Sequence, residues 1–241
     1  MAQSYFIWNN IDCRAMGIIQ RGPAPIVRPE ERVKHIEIPG RSGDMTETES
    51  QDEEEKIFNS YIQTISISVR GGYRVREVLN WLKGSGFVTF SGEPDRKQAA
   101  RIIGAVTLNK VSRNLDNWAG EIQFYCQPLK QLLTEGTVQI TSSGSTVING
   151  GDNVSRPKIK ATASGSSMSI TANGKTLTIT GLTSGNDYYI DSDIMEVYNA
   201  DRSALLTKNS VGDFPRLKPG SNTITGSGWS KLVIERRERF L

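Results

Sequence analysis

The segment MSITANGKTLTI, residues 168–179, is the stretch of sequence that decides the fold. Asn-Gly dipeptides favour two-residue type I′ turns, which join antiparallel strands. A turn at Asn173 and Gly174 puts the apolar side chains of both strands on one face. The pairs are then Ala172 with Lys175, Ile170 with Leu177, and Met168 with Ile179. The segment therefore predicts a β-hairpin with one buried face.

The sequence after this hairpin has the same rhythm of short strands and turns. Turn-forming stretches separate the predicted strands, and they include TSGND at residues 183–187 and KPGSN at residues 218–222. The predicted strands are DYYID (187–191), IMEVYN (194–199), NTIT (222–225) and KLVIE (231–235). Regularly spaced short strands are typical of a β-sandwich or jelly roll. We expect almost no helix in this half of the chain.

The first half predicts strands and one helix. Ile65, Ile67 and Val69 alternate with polar residues, which is the period of a strand with one buried face. The stretch WAGEIQFYC, residues 118–126, repeats this alternation with Gly120 on the apolar face. Between the two strands an apolar stripe with helical spacing predicts a helix that lies on the sheet and that Gly84 could cap. The stripe consists of Val75, Val78, Leu79 and Leu82.

A domain boundary is predicted near residues 128–136. Pro128 interrupts the preceding strand, and after Gly136 the composition changes to serine, threonine, glycine and asparagine. We therefore predict two domains, residues 1–134 and residues 135–241.

Composition limits the classes of function. The 241 residues include 29 Lys and Arg against 26 Asp and Glu, an excess too small to indicate a nucleic-acid surface. Apolar runs stay below the roughly 18 residues of a membrane span, so no membrane insertion is expected. The start MAQSYFIWNN lacks the features of a secretory signal. Cys13 and Cys126 have no metal-ligand spacing, and we expect buried free thiols, with a disulfide as the alternative.

Residues that could carry chemistry are few, and each has a structural interpretation as well. His35 is the only histidine, so any catalytic triad would need it, and a strand-surface role is the alternative. Asp191 and Asp193 could bind calcium or act in acid-base chemistry, or simply end a loop. The arginines of ERRER, residues 235–239, could contact nucleic acid, but their alternation with glutamates and the lack of interleaved aromatic residues favour an exposed final strand. We predict neither an enzyme nor a cofactor.

A carbohydrate-binding β-sandwich that contacts host cell-wall glycans is the alternative function. Such modules present aromatic rings on which sugars stack. The candidate rings here are Tyr188, Tyr189, Tyr198 and Trp229.

Four motifs resemble the distal tail protein (Dit) family of long-tailed phages and prophages, and they follow the order seen in that family. They are IPGRSGDM (38–45), FYCQP (124–128), NGGDNVSRPKIKA (149–161) and GDFPRLKPGSNTI (212–224). The resemblance spans nearly the whole chain. With the strand pattern it predicts a mainly β protein: an N-terminal β-sandwich or split barrel with one α-helix, and a C-terminal galectin-like jelly-roll β-sandwich.

The resemblance implies a structural hub of the tail tip. The expected assembly is a hexameric ring that joins the tail tube to the baseplate and host-adsorption apparatus and lets DNA pass through its channel without specific binding. The expected partners are the tail tube protein, the tape-measure protein and the tail-associated hub or lysin protein. The location implied is the tail tip of the virion, after assembly in the host cytoplasm.

Two of these motifs supply the residues that we expect to make subunit contacts or to form structural turns. Arg41 offers a planar donor fork suited to a subunit contact. The suspected oligomer or structural residues are Pro39, Gly40, Arg41, Gly43, Phe214, Pro215, Leu217, Pro219, Gly220 and Asn222. The acidic segment 43–55 is read either as a solvated loop or as part of the channel rim, where Glu53, Glu54 and Glu55 would repel DNA phosphates.

Overall fold

The computed structural model of the chain describes residues 3–48, 55–112 and 115–241. In these ranges the protein is mainly β with one α-helix, which confirms the predicted fold class. The chain forms two compact units, residues 1–133 with Leu241 and residues 134–240. That the segments 1–134 and 135–241 are independent domains stays a prediction.

The first unit contains a curled antiparallel sheet and a separate two-stranded ribbon. The sheet has the strand order β2-β1-β7-β8-β9-β6-β3, and β4 pairs with β5 in the ribbon. The elements are β1 (Phe6–Trp8), β2 (Ile11–Asp12), β3 (Ile18–Gln20), β4 (Val33–Glu37), β5 (Asp44–Thr48), β6 (Tyr61–Arg70), α1 (Gly72–Trp81), β7 (Ser85–Phe90), β8 (Arg96–Lys110) and β9 (Asn117–Leu132).

The buried face of this sheet follows from the alternation in β6 and β9. Ile65, Ile67 and Val69 are buried, and on the neighbouring strand Ile122 and Phe124 are buried beside them. Phe124 also meets two aromatic rings of β1 at centroid distances of 5.5 and 5.7 Å. Aromatic and β-branched side chains from paired strands thus build one core.

Helix α1 packs on this core through the predicted stripe. Val78 and Leu82 are buried, and Val75 and Leu79 pack against the same cluster. The helix ends earlier than Gly84, because Leu82 is the C-cap residue and its N–H donates to the carbonyl oxygen of Val78 at 2.9 Å. Gly84 instead has a positive φ of 80° in the connection to β7.

The second unit is a sandwich of two five-stranded sheets. Their orders are β10-β19-β12-β15-β16 and β11-β18-β13-β14-β17. The strands of these sheets are β10 (Thr137–Ile140), β11 (Ser145–Asn149), β12 (Lys158–Ala163), β13 (Ser167–Ala172), β14 (Lys175–Thr180), β15 (Asp187–Asp191), β16 (Glu196–Asn199), β17 (Ser210–Gly212), β18 (Gly220–Ser227) and β19 (Trp229–Glu235). The short strand β20 (Arg239–Phe240) belongs to neither sheet. A single 3-10 turn, Thr207–Asn209, is the helical content described in residues 134–240.

The hairpin of β13 and β14 has the predicted register. Ala172 pairs with Lys175, and the apolar pairs behind it are Ile170 with Leu177 and Met168 with Ile179. All four apolar side chains are buried in the core of the sandwich. Asn173 and Gly174 both have positive φ, at 52° and 77°, as a type I′ turn requires.

Candidate subunit-contact surfaces

The N-terminal motif lies at the exposed tip of the β4–β5 ribbon. Because Glu37 pairs with Asp44, residues 38–43 form the connecting loop. Pro39, Gly40, Arg41 and Gly43 are all exposed there. The Arg41 N–H donates to the Ile38 carbonyl oxygen at 3.1 Å, which fixes the loop backbone. The ribbon thus presents the guanidinium of Arg41 to its surroundings.

The base of the ribbon is anchored by backbone hydrogen bonds. The Arg32 N–H donates to the Ile57 carbonyl oxygen at 2.8 Å, and the Asn59 N–H donates to Glu30 at 2.8 Å. Phe58 is buried between these contacts. A ribbon that is held at its base and exposed at its tip can reach a neighbouring molecule without disturbing its own core.

The acidic segment is described only in part. Glu53 and Glu54 lie outside the described residues, and Glu55 is half-buried. The proposed position of these three residues at a channel rim therefore stays a prediction.

The C-terminal motif is built into the second unit rather than displayed on it. Leu217 is fully buried, Pro215 is buried and Phe214 packs against the same core. Pro219 and Gly220 are exposed where the chain turns into β18. The motif thus closes one part of the sandwich core.

Asn222 holds this turn through its buried side chain, which is 1% exposed. Its Oδ1 accepts from the Lys218 N–H at 2.8 Å and from Nδ2 of Asn173 at 2.7 Å. Its Nδ2 donates to the carbonyl oxygens of Lys218 and Gly220, both at 2.9 Å. One amide therefore ties the motif to the tip of the β13–β14 hairpin, a contact between residues 49 positions apart.

The motif NGGDNVSRP, residues 149–157, binds the ERRER segment. The Ser155 hydroxyl donates to the Arg236 carbonyl oxygen at 2.6 Å, and the Gly150 N–H donates to Oε1 of Glu238 at 2.8 Å. Arg236 and Glu238 also form an ion pair of 2.9 Å, and Glu238 is 5% exposed. The interpretation of ERRER as an exposed strand was wrong, because each of its residues is half-buried or buried.

The carboxylate of Asp191 has a structural partner. Both of its oxygens accept from the guanidinium of Arg237, at 2.7 and 2.9 Å. Burial raises the pKa of Asp191, but the hydrogen bonds and the charge of Arg237 outweigh it, and the net pKa is lowered. Among the described residues no group of three or more His, Cys, Asp or Glu could hold a metal ion.

The aromatic rings considered for sugar binding are mostly inside the protein. Trp229 is 8% exposed, Tyr188 5% and Tyr198 6%. Tyr189 is half-buried and stacks on Tyr198 with ring centroids 5.5 Å apart. The prediction that these rings are presented for sugar stacking was therefore wrong for Trp229, Tyr188 and Tyr198.

The remaining reactive side chains are in ordinary surroundings. His35 is exposed on β4, with its Nδ1 3.5 Å from the Thr46 hydroxyl oxygen. Cys13 and Cys126 are both buried as free thiols, so the disulfide alternative was wrong. Burial raises the pKa of Cys126 to about 12, which keeps this thiol protonated and unreactive at neutral pH. Among the described residues no helix is long and apolar enough to cross a membrane.

Comparison with known proteins identifies the fold. No protein-family model matches the chain, and no curated protein matches it in sequence. Among solved structures, the crystal structure of the Dit protein of phage SPP1 matches 100% of this chain and 100% of its own with a TM-score of 0.79 and 19% sequence identity. That protein is described as a paradigm of the hub adsorption apparatus in phages that infect Gram-positive bacteria. This chain therefore has, over its full length, the fold of the SPP1 distal tail protein.

Proposed function

We propose that the protein is the distal tail protein of a long non-contractile phage tail, a structural hub without catalytic activity. The observation that carries the proposal is the full-length fold match to the SPP1 hub protein, which includes both units in one chain. The motifs of residues 38–45 and 212–224, which resemble the Dit family in sequence, support it independently.

In this role the protein forms a hexameric ring at the tail tip. A ring needs a head-to-tail contact, in which one surface of each subunit meets a different surface of the next. The β4–β5 ribbon suits such a contact because its tip carries Arg41 away from its own core. Arg41 would pair in a bidentate manner with a carboxylate of the neighbouring subunit.

The ring joins the tail tube to the adsorption apparatus and leaves a channel for DNA. Its partners in the virion are the tail tube protein, the tape-measure protein and the tail-associated hub or lysin protein. Assembly takes place in the host cytoplasm.

Light scattering on the purified full-length protein, followed by negative-stain imaging, tests the proposal. We expect a particle of six times the 26.6 kDa subunit mass with a central pore. Arg41→Ala should shift the equilibrium toward smaller species, whereas Lys208→Ala, an exposed cation of the second unit, should not. A protein that stays a monomer at high concentration and joins no tail component would refute the hub role.

A further inference from the structure

The second unit has an open groove of about 140 Å³ that the proposed hub function does not use. We call it the Tyr198 groove, and its lining residues are Ile194, Glu196, Tyr198, Arg202 and Leu205. Ile194 and Leu205 are 58% and 57% exposed, although both are large and apolar. Neighbouring apolar side chains that stay exposed mark contact sites, whereas single scattered ones need no explanation.

One wall of the groove is the loop that follows β16, the edge strand of its sheet. The Leu206 N–H donates to the Val197 carbonyl oxygen at 2.7 Å, and the Asn199 N–H donates to the Ala204 carbonyl oxygen at 3.2 Å. The side chain of Asn199 also donates to the Ser203 hydroxyl at 2.8 Å and accepts from the Ala204 N–H at 3.0 Å. The loop is thus held in place, and binding to it costs little ordering of the wall.

Arg202 is part of this wall through its contact with Tyr198. Its guanidinium carbon lies 4.8 Å from the centroid of the Tyr198 ring, and its Nη2 donates to the Tyr198 hydroxyl at 3.2 Å. The backbone of Arg202 has a φ of 59°, a conformation that residues other than glycine and asparagine adopt rarely. Contact with the ring stabilises the cation, so Arg202 shapes the groove and has less need of an anion from outside.

Glu196 gives the groove a carboxylate without a cation. Its side chain is half-buried and makes no ion pair or hydrogen bond with any residue that the structure describes. The same loop also lines a cleft of about 590 Å³, in which the two charged lining residues, Asp187 and Asp201, are both carboxylates. Asp187 pairs with Lys160 at 2.8 Å, whereas Asp201 has no ion pair within the described ranges. Glu196 and Asp201 therefore favour the approach of a cation to this loop.

We propose that the Tyr198 groove docks a basic segment of a partner protein, with one apolar side chain in the groove and a neighbouring lysine or arginine paired with Glu196. An apolar cavity of about 150 Å³ holds a benzene-sized molecule, so the groove takes one side chain of leucine or phenylalanine size. The aliphatic stem of the basic residue packs along Ile194 while its charge reaches the carboxylate. The groove lies within residues 134–240, so docking does not depend on ring formation.

Peptide titration of the full-length protein, followed by NMR of its methyl groups, tests this proposal. The methyl groups of Ile194 and Leu205 lie in the groove and report on binding directly. Two blocked tetrapeptides carry leucine and lysine, adjacent in one and separated by alanine in the other, and two matched peptides carry glutamate in place of lysine. We expect a lysine peptide to shift both methyl signals saturably and the glutamate peptides to bind about fivefold more weakly, as the loss of one ion pair predicts.

Two variants separate the ionic contact from the apolar one. Glu196→Gln should remove the preference for lysine, so that both kinds of peptide bind within about twofold of each other. Leu205→Ser should weaken binding of the lysine peptides about tenfold, read from the Ile194 methyl signal. The exposure of both side chains lets the fold tolerate the changes.

Asp213→Asn and Val211→Ser are the matched controls, because they change an exposed carboxylate and an exposed apolar residue of the same unit outside the groove. Neither should alter the affinity. Absence of saturable shifts with all four peptides would overturn the proposal. So would equal or stronger binding of the glutamate peptides by the unmodified protein, or a loss of affinity in a control as large as that in Leu205→Ser.

Discussion

At the residue scale, the buried side-chain amide of Asn222 makes the hydrogen bonds that hold the turn of the C-terminal motif. Asn222→Ala would leave the N–H of Lys218 and two carbonyl oxygens without their partner. We expect the free energy of unfolding to fall by about 2–4 kcal/mol, measured by urea denaturation. The exposed neighbour provides the control, since Ser221→Ala should change stability by less than about 0.5 kcal/mol. Equal stability of the two variants would contradict a stabilising role of the Asn222 side chain.

The pair of Asp191 and Arg237 predicts a pH dependence of stability. The pKa of Asp191 is lower in the folded protein than in the unfolded chain, where it is about 3.9. The stabilisation is therefore complete above about pH 4 and is lost as the pH falls through the folded-state value. Asp191→Asn should be less stable than the unmodified protein by about 3 kcal/mol at pH 7, because it leaves Arg237 with only its longer contact to Glu235, at 3.4 Å. The difference should shrink below pH 4 in denaturation curves; a constant difference would exclude this origin.

At the scale of elements, the long strands β8 and β9 approach each other closely at Gly120. A Cβ there would lie 2.0 Å from the Thr107 carbonyl oxygen, and backbone would have to move. Gly120→Ala should therefore lower the melting temperature of the first unit by several degrees, the equivalent of about 2 kcal/mol. Gly92→Ala is a suitable control, since a Cβ at Gly92 meets its nearest atoms at 3.9 and 4.0 Å. Calorimetry gives the melting temperatures of the two variants, and equal values would contradict the close approach at Gly120.

Elements with local signals could be predicted from the sequence, and contacts between distant segments could not. The Asn-Gly turn and the apolar alternation beside it fix the β13–β14 register, because a shift of one residue would turn the apolar side chains outward. Asp191 and Arg237 lie 46 positions apart in the chain, and no local sequence pattern predicts that they pair. Tyr188 and Tyr198 were misread for the same reason: an aromatic residue in a strand does not reveal which packing covers it.

The functional residues divide in the same way. Both motifs were identified by their resemblance to the Dit family, and their turns could be predicted, since Pro39 and Pro219 mark reversals that a sequence displays directly. The contact between Asn222 and Asn173 had no such signal, because the two residues lie 49 positions apart in the chain.

At the scale of the whole molecule, formation of the proposed ring should need only the first unit. We expect a fragment of residues 1–134 to form the same ring as the full chain, because it carries the β4–β5 ribbon. A fragment of residues 135–241 should be a folded monomer, because the sandwich core and the clamp of Asn222 lie within it. Light scattering and circular dichroism on both fragments check this. A ring formed by the second fragment alone would show that the second unit, and not the first, carries the ring contacts.

The acidic segment predicts a property of the proposed ring that can be tested. If Glu53, Glu54 and Glu55 face the channel, their charge repels DNA phosphates and keeps the passing duplex from adhering. Replacing all three by glutamine should slow DNA ejection from assembled virions several-fold and leave tail assembly intact. The difference should decrease in high salt, because the Debye length falls from about 10 Å at 0.1 M to about 3 Å at 1 M. Asp152→Asn with Asp213→Asn, a charge loss in the second unit, should leave ejection unchanged, and equal kinetics in all three proteins would place the acidic segment away from the DNA path.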